Sequence, residues 1–162
     1  MSNEMSVRET DDLARYDVVL TRLYDASRED VFDAWSNEER LLRWFGPDQW
    51  PAVSFDLDFR PGGAFELCMR GPNGEEARSH GEYVEIVAPE RIVMRSRIEH
   101  DGAVIFEVLQ TITFVERLDQ TELTLEHRVL RNENFPGASG AQIGWEQTLA
   151  RLGSYLDEAR AN

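Results

Sequence analysis

Ser139–Arg160, SGAQIGWEQTLARLGSYLDEAR, carries the longest uninterrupted periodicity in this 162-residue chain. At roughly 100° per residue, Trp145, Thr148, Leu149, Leu152, Tyr155, Leu156 and Ala159 fall on one stripe of a helix. Glu146, Gln147, Arg151, Ser154, Asp157 and Glu158 fall on the other side. Ser139 with Gln142 three positions on reads as a capping box. Ile143 stands off the stripe and is expected to pack against the preceding loop. A helix with such a stripe cannot bury it alone, so the upstream chain must supply a receiving surface.

That surface reads as sheet. Tyr16–Tyr24 is rich in Val, Leu and Tyr and predicts a first strand. Ser27 is placed to cap a short helix that buries Val31, Phe32 and Trp35. Ser36-Asn37-Glu38-Glu39 reads as a second capping box, opening a helix with Leu41, Leu42, Trp44 and Phe45 that Gly46-Pro47 ends. From Val53 onward the period changes to two. Six strands are predicted, separated by turns at Pro61-Gly62-Gly63, Gly71-Pro72-Asn73-Gly74, Ala88-Pro89-Glu90, Asp101-Gly102 and Asp119-Gln120. A loop from Asn132 to Gly140, with Pro136, leads into the final helix. Tight turns imply antiparallel neighbours, because a parallel return needs a long crossover. The expected fold is therefore α+β: a curved antiparallel sheet of about seven strands around a long C-terminal helix, with two short helices after strand 1. Residues 1–13 read as a flexible tail and residues 14–162 as one domain.

Composition narrows the function. The net charge is −14, and a surface that acidic repels nucleic-acid phosphate and anionic membrane. No apolar run approaches the ~20 residues needed to span a bilayer, and the acidic N-terminal stretch lacks a secretory n-region. A single cysteine, Cys68, excludes an intrachain disulfide and a cysteine zinc cage. A cytoplasmic protein without nucleic-acid partners or a membrane span is expected.

Several stretches carry a family likeness. They are Ala26–Trp35; Trp44-Phe45-Gly46-Pro47; Phe55 through Arg60-Pro61-Gly62-Gly63 to Gly71-Pro72-Asn73-Gly74; Gly81–Arg91; and Gly144-Trp145-Glu146-Gln147 through Leu156. Together they resemble the START-like, or SRPBCC, superfamily of helix-grip (Bet v-like) proteins, over about Tyr16–Asp157. Within it the chain is similar to the group related to the C-terminal domain of the activator of the 90-kilodalton heat-shock protein ATPase. The resemblance implies the fold argued above, with a pocket between sheet and long helix. Members of the superfamily bind sterols, lipids, polyketides and plant hormones, and some are cyclases or hydrolases.

The first expectation is thus a non-enzymatic module binding a small hydrophobic molecule. The alternatives are a co-chaperone that stimulates the heat-shock protein ATPase, and a cyclase- or hydrolase-type enzyme with His127 as general base. His127 shares strand parity with Leu123, Leu125 and Val129, so it should face the helix, either orienting a ligand or bonded to a core neighbour. Gln110 lies likewise between Val108 and Ile112. Trp35, Trp44, Phe45 and Trp50 could line an apolar mouth or simply pack. The candidate lining is Trp35, Trp44, Phe45, Phe65, Leu67, Met69, Met94, Phe106, Gln110, His127, Trp145, Leu149 and Leu152.

Little else suggests chemistry. His80 lies near Glu82 on one parity, whereas Glu82 and Glu85 have opposite parity and need a bulge to act together. His80, His100 and His127 lack metal-ligand spacing, Gly62-Gly63 lacks the remainder of a nucleotide loop, and Cys68 has no activating base. No metal, cofactor or catalytic residue is expected.

Overall fold

Turn chemistry makes the middle of the chain a meander. In the computed structural model, which describes residues 17–135 and 138–161, β1 (Val18–Tyr24) leads into two short helices, α1 (Arg28–Asp33) and α2 (Glu38–Trp44). There follow β2 (Ala52–Leu57), β3 (Ala64–Arg70), β4 (Glu76–Val87), β5 (Arg91–His100), β6 (Ala103–Arg117) and β7 (Gln120–Asn132). A 3-10 turn, Ala138–Gly140, then opens α3 (Ala141–Ala161). The tail expected over residues 1–13, Tyr16 and Pro136 lie outside the described residues.

The strands form one antiparallel sheet ordered β1-β7-β6-β5-β4-β3-β2. The meander thus runs from β2 to β7, and β1 returns to pair with β7, from Val18 opposite His127 to Tyr24 opposite Thr121. Bulges interrupt the ladders between β4 and β5, β5 and β6, and β6 and β7, bending the sheet toward α3. Gly81 helps the bend. It faces inward on β4, where a Cβ would run into the Arg95 carbonyl oxygen and press on the Phe65 ring.

The stripe of α3 is the closing surface. Trp145, Thr148, Leu149, Leu152 and Leu156 are buried, and Thr148 satisfies its hydroxyl on the Gly144 carbonyl at 2.7 Å. Tyr24, from β1, donates its hydroxyl to the Leu149 carbonyl at 2.7 Å and pins the helix to the sheet edge. Burial leaves the Tyr24 phenol far harder to ionise than an exposed one, partly opposed by the nearby Arg22.

Five local expectations need correction. The stripe is narrower than its periodicity suggests: Tyr155 is only half-buried, though packed against the core, and Ala159 is exposed. Ile143 is 65% exposed. The helix begins at Ala141, after the 3-10 turn, so Ser139 does not cap it. Asn37, not Ser36, caps α2, its side chain accepting from the Arg40 N–H at 2.9 Å, while Ser36 donates to the Asp33 carbonyl. Gln147 and Arg151, read as a wet side, clamp the loop after α2: Gln147 accepts from the Asp48 N–H and Arg151 donates to the Gly46 carbonyl. Gly46 itself has φ +107°, and a Cβ there would run into the Trp50 carbonyl, so the exit from α2 requires glycine.

Among the described residues, no helix is long and apolar enough to cross a membrane.

Candidate functional site

Strand parity sorts the inner face of the sheet into apolar and polar positions. On β7 the inward residues run Leu123, Leu125, His127, Val129; on β6 they run Phe114, Ile112, Gln110, Val108, Phe106; on β5 they run Ile92, Met94, Ser96, Ile98. Each strand therefore breaks its apolar series once, and the three breaks are neighbours. Gln110 stands opposite both His127 and Met94, and Ser96 donates its hydroxyl to Gln110 Oε1 at 3.1 Å.

This polar seam divides the core. On one side lies the large cluster of Leu41, Phe55, Met94, Ile112, Leu125, Leu149 and their neighbours. On the other, Phe106, Val108, Val129 and Ala138 form a small cluster flanked by Ile98 and Phe135. Ser96 and Gln110 remain half-buried between the two, as do Ser79 and Met69 farther along the inner face.

His127 is the deepest member of the seam, at 5% exposure. Its Nδ1 accepts from the Trp145 indole N–H at 3.1 Å, which ties the start of α3 to the middle of β7. Its Nε2 is buried and meets no partner among the described residues. Burial lowers its pKa from 6.5 to about 4, partly opposed by the Asp17 carboxylate, so the ring is neutral at physiological pH. Asp17 in turn accepts the Val129 N–H at 2.9 Å.

The remaining candidates divide between closed packing and the seam's borders. Trp35, Trp44, Phe45, Phe65, Leu149 and Leu152 lie buried in the large cluster. Trp35 meets Trp44 edge-on at 4.8 Å between ring centroids and Phe45 at 6.3 Å, and Phe45 meets Trp145 at 5.7 Å. The Trp44 indole donates to the Ala34 carbonyl, while the buried Trp35 indole nitrogen has no partner among the described residues. Leu67, Met69 and Met94 belong to or pack on this cluster, and Phe106 belongs to the small one. Trp50 stands apart from Trp35 and Trp44, its ring covering Gly71.

Ser96 was missed by the sequence reading. Its parity with Met94 and Ile98 is the signal in the sequence that places it on the inner face, between the outward-facing Arg95 and Arg97.

The polar groups of the outer face pair among themselves. His80 bonds Glu99 at 2.8 Å rather than Glu82, because Glu99 comes alongside from β5. Glu82 instead takes both terminal nitrogens of Arg97 at 2.7 and 2.8 Å. A bulge between Tyr83 and Glu85 carries Glu82 and Glu85 to the same face after all, but Glu85 is held by Arg91 at 3.3 Å. The hydrogen bonds from Arg97 hold the Glu82 carboxyl below the usual range, and Arg95 does the same for Glu107. No group of three or more His, Cys, Asp or Glu side chains is placed to hold a metal ion among the described residues.

At the far end of α3 a shallow cleft of about 460 Å³ lies between Asp25, Ser27, Asp30, Arg40, Tyr155 and Arg160. Arg160 is already bound to Asp25 there.

A curved antiparallel sheet closed over a C-terminal helix defines a helix-grip protein, and the sequence places it within that class. The chain belongs to the family of activator of Hsp90 ATPase homolog 1-like proteins, whose family model matches residues 25–157. Its fold is shared with a solved protein from Nitrosomonas europaea (TM-score 0.74, 23% identity, covering 92% of this chain and 99% of that one). A protein from Chromobacterium violaceum is similar as well (TM-score 0.77, 24% identity, 88% and 97%). So is the AHSA1 protein from Silicibacter pomeroyi (TM-score 0.74, 23% identity, 90% and 99%). No protein of curated function matches the sequence.

Proposed function

We propose that this protein binds a small, mainly apolar molecule on the inner face of its sheet, oriented by the seam of Ser96, Gln110 and His127. The observation that carries the reading is the seam itself: three polar side chains interrupt an apolar floor at adjacent positions, and two of them are left half-buried. Small-molecule sites have this composition, a largely apolar lining with a few placed polar groups. Leu67, Met69, Met94, Phe106 and Trp145 border the site, and Trp35, Trp44, Phe45, Phe65, Leu149 and Leu152 form the packed wall behind it. The binding unit is the single domain of residues 14–162, and a cytoplasmic setting suits its one free cysteine.

Native mass spectrometry of the purified protein, with extraction of bound organic molecules, tests this. A thermal-shift screen of lipophiles is the companion experiment, since a ligand at 100 times its dissociation constant adds about 2.7 kcal/mol. A protein that is empty as isolated and stabilised by no lipophile would defeat the reading.

A hydrolase or cyclase with His127 as base is less well supported. A ring whose Nδ1 is occupied by Trp145 and whose pKa is depressed to about 4 is a weak base near neutrality. The family description supports a second reading, stimulation of a chaperone ATPase. Adding the protein to the chaperone and measuring ATP turnover tests it, and an unchanged rate removes it.

A further inference from the structure

An indole N–H can donate a hydrogen bond but cannot accept one. The Trp145–His127 bond therefore makes Nδ1 of His127 an acceptor, and the neutral ring must carry its proton on Nε2. That N–H is buried and has no acceptor among the described residues. Its cross-strand neighbour Gln110, which accepts the Ser96 hydroxyl on Oε1, does not reach it, and neither does Asp17, whose Oδ1 accepts the Val129 N–H. A buried donor without a partner is unfavourable until something supplies an oxygen.

Accepting the ligand-binding reading above, we infer that the bound molecule is an uncharged carbonyl compound, a ketone, ester or amide, whose oxygen accepts the His127 Nε2–H while its apolar body lies across the seam. A group that only donates, such as an ammonium, would set donor against donor. A carboxylate could accept, but it would lose its hydration beside a neutral imidazole in a chain of net charge −14. The carbonyl is the acceptor that enters at least cost.

Three probes of matched shape test this with the intact protein: acetophenone, ethylbenzene and 1-phenylethylammonium. Long-range proton–nitrogen NMR of the histidine rings reads tautomer and binding together. The expected result is an Nε2–H tautomer for His127 in the free protein, and a saturable shift of that signal with acetophenone while His80 and His100 stay still. Acetophenone should bind about tenfold tighter than ethylbenzene, and the ammonium should not bind. In H127F, or in H127L should the first variant fold poorly, the ketone's advantage should fall to about twofold or less. An Nδ1–H tautomer overturns the inference, and so does a water that keeps the Nε2–H when acetophenone binds. Equal binding of acetophenone and ethylbenzene overturns the carbonyl assignment and leaves the ligand-binding reading standing. Failure of all three probes, together with every other lipophile, removes both.

Discussion

The Trp145 indole donates to Nδ1 of His127 across 3.1 Å, and this one bond couples the first turns of the C-terminal helix to the middle of the last strand. A double-mutant cycle with W145F and H127F isolates it. The coupling energy should be about 0.5–1.5 kcal/mol, the usual net worth of such a bond, read from urea unfolding. A coupling indistinguishable from zero would mean that the two rings merely pack.

The same histidine makes stability depend on pH. Its proton binds near pH 6.5 in the unfolded chain but near pH 4 in the folded one. The unfolded state therefore takes up the proton first as pH falls, so the contribution is complete above about pH 6.5 and is lost progressively toward pH 4. The loss should be on the order of 3 kcal/mol. The carboxylates held down by arginine, Glu82 and Glu107, act below their ordinary 4.5, in a more acid window. H127Q should flatten the upper window and leave the lower one; an unchanged profile would place the histidine in contact with water.

The buried stripe of α3 makes a contrast between two positions. Leu152 is fully buried, and L152A should cost about 2–5 kcal/mol through the cavity it leaves. Glu158 is exposed, and E158A should stay within about 0.5 kcal/mol. Similar chemical-denaturation midpoints for the two variants would contradict the packing of the helix.

Two glycines should respond to alanine in opposite directions. At Gly153 a Cβ would sit 3.4 Å from the Tyr24 ring, an ordinary contact, so G153A should gain about 0.5–1 kcal/mol of helix propensity and raise Tm. At Gly81 the Cβ would meet the Arg95 carbonyl oxygen, so G81A should cost about 3 kcal/mol and lower it. Thermal melts followed by circular dichroism decide both, and a stable G81A would mean that the sheet bends elsewhere.

Periodicity was sufficient for the architecture. Alternation around Leu123, Leu125 and Val129 put His127 on the helix side, and the same argument placed Gln110. Features set by a single residue's departure from the pattern were not legible. The bulge at Val84 reverses the parity that separates Glu82 from Glu85, and no local composition marks it. The partner of His80 comes from a different strand, so its short-range neighbour Glu82 was a false lead. The Trp145–His127 bond requires the rotamers of two elements to meet, which neither pattern contains. Ser96 was within reach, had inward parity been followed through the arginines that flank it.

The return of β1 to the side of β7 has a consequence for how the chain reaches this state. The hairpins from β2 to β7 close over short turns, whereas Asp17 meets Val129 across 112 positions and Tyr24 meets Leu149 across 125. Bringing such distant partners together costs more chain entropy than zipping a hairpin, so the opening strand should be the last to dock. Pulse-labelling hydrogen exchange during refolding would show β5–β6 amides protected before those of β1; simultaneous protection would contradict that order. The imidazole floor of the seam would then become sealed along its β1 edge only in the closing step of assembly.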